Sequence, residues 1–188
     1  MKTIVLAGGC FWGLQKFFDQ FDGIISTETG YANGNCDHPD YCSVCNGSGH
    51  AEAVKVTYED SISTARILAA FFAAIDPFSL NRQGNDTGIN YRTGIYTDDP
   101  EESRIARAML EEIEKHSGRK VQVEVLPLKD FWSAEDYHQK YLDKNPSGYC
   151  HLPGHLLTGH RLPTLSEVLE AYPALGSLLS SPDPKAEA

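Results

Sequence analysis

Apolar residues along the chain follow two rhythms. Thr3-Ile4-Val5-Leu6 is a short β-rich run that stops at Gly8-Gly9, and Phe11, Leu14, Phe17, Phe18 and Phe21 then recur at helical spacing. The pattern predicts a strand, a glycine turn and a helix. Residues 24–32 read as a second strand, and alternation through Ala51, Ala53, Val54, Val56 and Tyr58 gives a third, with a polar loop between them. Ser63 is placed to cap an apolar helix over 64–75, which Asp76-Pro77 ends because the residue before proline disfavours helical geometry. A strand over 91–97 follows. Asp99-Pro100-Glu101-Glu102 then supplies an N-cap, a first-turn proline and first-turn acids to a helix that Ser117-Gly118 stops. Beyond it the pattern predicts a strand over 121–126, a helix over 134–144 and one short helix near 164–171, with a disordered tail from Ser180. The order β-α-β-β-α-β, then α-β-α, is an α/β (α+β) pattern: a ferredoxin-like two-layer sandwich on a mixed sheet, with additional helices and a long irregular C-terminal segment. Residues 1–150 are expected to form the main domain, and 151–188 an extension packed on it or trailing from it.

Composition narrows the functions available. The 188 residues suit one domain, 41% are hydrophobic, and 16 Lys plus Arg against 26 Asp plus Glu give a net charge of -10. That sign is wrong for tracking phosphate backbones, so nucleic acid is not an expected partner. The longest apolar stretch, around Ile67 to Ile75, is too short for a membrane span, and the apolar run before Cys10 is too short for a signal peptide. A cytoplasmic protein with no membrane partner is the expectation. The five cysteines are too few and too irregular for a secreted disulfide scaffold, which leaves catalysis, redox exchange or metal binding.

Cys10 stands where the first strand turns into the first helix, so the helix dipole and its free N–H groups favour a thiolate nucleophile. The competing reading is a small buried hydrophobe. Phe11 and Trp12 either belong to the core or form an apolar pocket beside the sulfur. Both are too bulky for a dinucleotide-binding glycine loop. By alternation Glu52 shares a face with Val54 and Val56; there, desolvation raises its pKa and makes it a proton donor, unless it is an exposed strand-edge residue. Residues 83–92 (QGNDTGINYR) form a polar, glycine-punctuated loop entering a strand, where a scaffold often places functional groups.

Three fragments occur in order: GGCFWG at 8–13, GHAEAV at 49–54, and QGND with NYR at 83–86 and 90–92. DYHQ at 136–139 and KNP at 144–146 add to them. Together they resemble peptide methionine sulfoxide reductase of the A type, over about Thr3 to Cys150. The resemblance implies thiol-dependent reduction of the S epimer of methionine sulfoxide, free or in proteins. In that reading Cys10 is the nucleophile, Phe11 and Trp12 hold the substrate methyl group, and Glu52 donates a proton to the oxide. Tyr41, Asp86 and Tyr91 match residues that bind this oxygen or a water near it. Cys150 matches a resolving cysteine that condenses with a sulfenic acid on Cys10. The implied reductant is thioredoxin, or dithiothreitol in vitro. No bound cofactor or metal is implied, and the expected partners are thioredoxin, oxidised proteins and free methionine sulfoxide, with the chain itself a monomer.

The departures from the family lie mainly between Gly34 and Gly49, where Cys36, Cys42 and Cys45 with His38 and His50 make the loop denser in ligands than the family's; Cys45 has a family parallel, whereas Cys36 and Cys42 are atypical. Cys42 and Cys45 have the spacing of half a zinc site without a second half, and the same pair is a candidate for accessory disulfide relay. Two competing readings remain at this level. One is a different cysteine enzyme, such as a hydrolase with His50 as base; the other is a metal-binding module built on this loop.

Overall fold

The computed structural model of the chain describes residues 1–180. In chain order its elements are β1 (Lys2–Gly8), α1 (Phe11–Asp19), β2 (Ile24–Ala32), α2 (Tyr41–Cys45), β3 (Ala51–Tyr58), α3 (Thr64–Ala74), β4 (Arg82–Gln83), β5 (Asp86–Thr87), β6 (Thr93–Tyr96), α4 (Pro100–Ser117), β7 (Glu124–Leu126), β8 (Phe131–Ser133), α5 (Tyr141–Lys144), α6 (Leu165–Ala171) and α7 (Leu175–Ser180). Six strands form one sheet in the order β7-β6-β1-β3-β2-β8, antiparallel except for the β6–β7 pair, and β4 and β5 form a separate hairpin. The inner order β6-β1-β3-β2 is the ferredoxin-like split βαβ arrangement that the element order predicts. One face of the sheet carries Ile4, Leu6, Val54 and Val56 against α1 and α3, with Phe18, Ile67, Leu68 and Phe71 fully buried between them. The other face is thinner, a layer of Val5, Ala7, Ala51, Ala53 and Tyr96 under Leu128 and Phe131.

The capping signals hold. Ser63 accepts from Ala65 N–H, Asp99 accepts from Glu101 and Glu102 N–H, and Gly118 ends α4 in the left-handed region at φ 66°. Several segments differ from expectation, among them the unanticipated β4–β5 hairpin, β8 and α7. The strand anticipated over 91–97 is Thr93–Tyr96, because a 3-10 turn at Ile89–Tyr91 takes its first residue. Only Glu124–Leu126 of 121–126 pairs as a strand. The helix anticipated over 134–144 breaks into a 3-10 turn at Asp136–His138 and the short α5. Side-chain amides cause that break: Gln139 bonds both N–H and C=O of Thr29 and the carbonyl of Ala134, while Lys140 N–H donates to Gln15 Oε1 with Lys140 at φ 53°. The cysteine loop holds the short α2, which Asp40 and Ser43 close with a capping box.

Past Cys150 the chain returns to the main core, burying Leu152, Leu162, Val168 and Leu175. The anticipated disordered tail is helical at its first residue, Ser180, the last of α7; its remainder, 181–188, lies outside the described residues. Among the described residues no helix is long and apolar enough to cross a membrane.

Candidate active site

The turn from β1 into α1 places Cys10 at the N-cap of α1. Gly9 makes the turn at φ 79°, and a Cβ there would stand 2.6 Å from Gln83 Cβ, so only glycine lets the thiol loop close against the β4–β5 hairpin. Cys10 is buried, at 6% exposure. Its surroundings reverse the sequence expectation for its thiol. Burial and the neighbouring Glu52 carboxyl push the thiol up, and only the Trp12 N–H at the helix start pulls it down. The dipole argument names the right position and the wrong net sign, because it counts the helix end and leaves out desolvation.

Glu52 lies on β3 opposite Tyr31 of β2, 2% exposed and on the helix-covered face that the alternation predicts. It is no strand-edge residue. Its Oε2 accepts the Phe11 N–H at 3.1 Å, which fixes the carboxyl beside the first turn of α1. Burial pushes the carboxyl up to about 8, against the Phe11 N–H and the Asn90 side chain, which both hold it down, while Asp86 pushes it further up. It is therefore a neutral acid at pH 7.

Aromatic rings wall this pair. Phe11 is buried against Tyr31 and His138. Trp12, half-buried, stacks on Tyr141 with ring centroids 3.7 Å apart and donates its indole N–H to His138 Nδ1 at 3.0 Å. Tyr41 opens α2 against the His138 ring. Its hydroxyl is pushed up to about 12 by burial, then by its bond to Cys45 and by the charges of Glu52 and Cys10. Tyr91 ends the 3-10 turn after the hairpin; burial, then Glu52, Tyr41, Cys10 and Asp86, push its hydroxyl upward. Asp86 opens β5 and accepts the Tyr149 hydroxyl at 3.0 Å. Cys150 closes the site from the C-terminal side: a Cβ on Gly13 would come 2.8 Å from its Sγ, so that glycine lets the sulfur rest on the first turns of α1. All five cysteines are free thiols.

A buried thiol, a protonated carboxyl and an apolar wall suit transfer of an electronegative atom from a small substrate carrying an apolar group. A family model described as peptide methionine sulfoxide reductase matches residues 2–161. The chain belongs to the peptide methionine sulfoxide reductase family. A reductase of this family, "Peptide methionine sulfoxide reductase MsrA" of Lachnoclostridium phytofermentans, is 50% identical over 153 residues, covering 80% of this chain and 92% of that protein. Among solved structures, Mxr1 from Saccharomyces cerevisiae in reduced form superposes with TM-score 0.72 at 38% identity, over 79% of this chain and 88% of that one. The structure of Mxr1 in complex with Trx2 matches with TM-score 0.50 at 26% identity, over 74% and 84% of the two chains.

Within this reductase the fold brings together Cys10, Phe11, Trp12, Tyr41, Glu52, Asp86, Tyr91 and Cys150, drawn from six separate segments. Cys42 and Cys45 are exposed residues of α2, the latter joined to the site through Tyr41. Cys36 is exposed and apart from α2 in the same loop. Among the described residues no group of three or more His, Cys, Asp or Glu side chains is arranged to hold a metal ion. His50, the base that a hydrolase would require, is committed elsewhere: its Nδ1 pairs with Ser48 Oγ at 2.9 Å and its Nε2 faces Asp130 at 3.6 Å.

Three participants carried no assigned role in the sequence. His138 fixes the Trp12 indole, and because its Nδ1 accepts that proton its own sits on Nε2, facing Glu135 at 3.7 Å. Tyr141 supplies the stacking partner, and Asn90 the amide beside Glu52. His138 and Asn90 lie inside motifs visible in the sequence, DYHQ and NYR, so residue type in a motif was the available signal. Nothing local marks Tyr141. A cavity of about 750 Å3 lies elsewhere, lined by Phe17, Phe21, Phe72, Val168 and Tyr172 among others, and shares no residue with this site.

Proposed function

We propose that the chain reduces the S epimer of methionine sulfoxide, free or within proteins, with Cys10 as nucleophile and Glu52 as proton donor. The observation that carries this is the protonated Glu52 carboxyl held against the first turn of the helix that Cys10 begins. An oxide dianion-like oxygen is a poor leaving group, and a neutral acid at this position removes that barrier. Phe11 and Trp12 give the substrate methyl group an apolar wall, while the Tyr41 and Tyr91 hydroxyls, both kept protonated, donate hydrogen bonds to the oxide oxygen.

The steps balance as follows. The Cys10 sulfur attacks the sulfoxide sulfur, Glu52 gives its proton to the oxide oxygen, and the proton that the thiol sheds returns to the Glu52 carboxylate. The oxygen passes to Cys10, so methionine sulfur is reduced, Cys10 becomes a sulfenic acid, and methionine leaves. The Cys150 sulfur then attacks Cys10, an S–S bond forms, and water departs. A dithiol protein of the thioredoxin type reduces that disulfide, a role supported by the Mxr1–Trx2 complex. The residues need no bound cofactor for these steps, and a cytoplasmic monomer suits them.

The test mixes purified protein with each methionine sulfoxide epimer under dithiothreitol and follows methionine, with Cys10→Ser as control. Methionine from the S epimer alone, abolished in the variant, is the expected result. Methionine from neither epimer, with folded protein and reduced thiols, overturns the proposal.

A further inference from the structure

His151 follows the resolving cysteine, and both of its ring nitrogens are buried without a hydrogen-bond partner of ordinary geometry. Such a ring costs stability unless something is gained from it. It fills the space between three parts of the site. A Cβ on Gly9 would stand 3.2 Å from its Nε2, a Cβ on Gly84 3.4 Å from its Cβ, and a Cβ on Gly13 3.3 Å from its Nδ1. The last of these points is the one that Cys150 Sγ also approaches, at 2.8 Å. Three glycines thus leave room for an imidazole between the turn that carries Cys10 and the Cys150 sulfur.

We propose that His151 is the proton acceptor for the resolving step, taking the Cys150 thiol proton as that sulfur attacks Cys10 and returning it to the departing hydroxide as water. The proposal rests on the reading of Cys150 as resolver. In the balance, one S–S bond forms and one S–O bond breaks, Cys150 is oxidised and the Cys10 sulfenic acid reduced, and His151 ends as it began. The step needs an acceptor because burial pushes the Cys150 thiol up, with Asp86 adding to this and only the Leu152 N–H opposing it. Burial also holds the imidazole below its ordinary value, against Asp86 and a loose contact with the Gly8 carbonyl, so the ring is neutral and able to accept at pH 7. The titratable groups nearest it are Asp86 on β5 and Cys150 itself, while Cys10 follows Gly9 in the chain and Arg82 on β4 bonds the Gly84 carbonyl. Of these Asp86 is the one that favours the imidazolium formed in flight.

The experiment is a single turnover of the full chain with methionine S-sulfoxide and no reductant, comparing wild type with His151→Gln and His151→Asn from pH 5 to 10. Methionine is counted by rapid quench, and disulfide formation by loss of a second free thiol beyond the one consumed as methionine is released. Methionine release in the same samples reports the folded, competent fraction. At pH 7 the disulfide step of the variants is expected to be about 10²-fold slower, the low end for general base catalysis. The wild-type rate should be level from near neutrality upward and fall only as the ring protonates, below the ordinary histidine value of 6.5. In the variants it should climb about tenfold per pH unit with the thiolate fraction and converge on the wild type above the thiol pKa, a convergence that a packing defect does not produce. Equal disulfide rates, or a deficit that stays constant with pH, overturn the role of His151. Absence of methionine from the wild type overturns the proposed function instead.

Discussion

Glu52→Gln removes one ionisable proton and almost no volume, which makes it the sharpest probe of the acid. With its carboxyl at about 8, Glu52 is roughly 90% protonated at pH 7; at the ordinary value of 4.5 the fraction would be roughly 0.3%. Burial therefore supplies about 300-fold more of the acid form at neutral pH. Glutamine keeps the shape and an oxygen to accept the Phe11 N–H, but it has no transferable proton. The expected loss in the sulfoxide step is about 10² to 10⁴-fold. The assay is methionine release in a single turnover, in a Cys150→Ser background so that later steps do not contribute. The raised pKa also sets the sign of the pH profile. The acid form dominates below pH 8 and is lost above it, so the wild-type rate should be level near neutrality and fall as pH rises through about 8. An unchanged rate in Glu52→Gln refutes the reasoning, as does a wild-type rate that climbs through pH 8, which would mean that Glu52 starts as a base.

His138→Leu removes the acceptor of the Trp12 indole proton, and a buried hydrogen bond of about 1 kcal/mol translates into a several-fold rise in KM for methionine sulfoxide with a smaller change in kcat; steady-state kinetics reads it, and an unchanged KM removes His138 from positioning the wall. Gly13→Ala puts a methyl group 2.8 Å from Cys150 Sγ, so first-turnover methionine release should persist while disulfide formation slows by up to about 10²-fold, the effect of a ~1 Å misplacement; thiol titration after rapid mixing measures it. The Cys42→Ser, Cys45→Ser double variant should slow turnover driven by thioredoxin and leave turnover driven by dithiothreitol unchanged if α2 relays the disulfide outward; equal ratios in variant and wild type exclude that relay.

Residues whose chemistry depends on local geometry were legible in the sequence. Cys10 is marked by a strand that ends in two glycines before a helical apolar pattern, and Glu52 by strict alternation on a single strand, so period and turn signals alone place both. The split βαβ core follows from the same signals, because caps at Ser63 and Asp99 and the stop at Gly118 obey simple rules. What failed to show depends on distant partners. The segment over 134–144 has helical composition, yet Gln15 and Gln139 reach its backbone from α1 and from within the segment, and bind groups that a helix would otherwise use. Tyr141 then faces Trp12 as a result of that broken geometry. The thiol of Cys10 divides the same way: the helix dipole is local and readable, whereas desolvation is a property of everything packed around the sulfur.

The sheet has a further consequence. Its long strands β1, β2 and β3, of seven, nine and eight residues, all lie inside it, and both borders are finished by strands of only three residues, β7 and β8. Beyond β7, Arg107 occupies the Val125 carbonyl, and the β8 border ends where Ala134 N–H turns back to Thr29. An oxidised protein that presents its methionine sulfoxide from a loosened segment also presents unpaired backbone. A long open edge would capture such a segment by strand addition and hold it. With borders this short, this sheet leaves the methionine side chain as the part of a damaged chain that the molecule can grip, which favours release once the sulfur has been reduced.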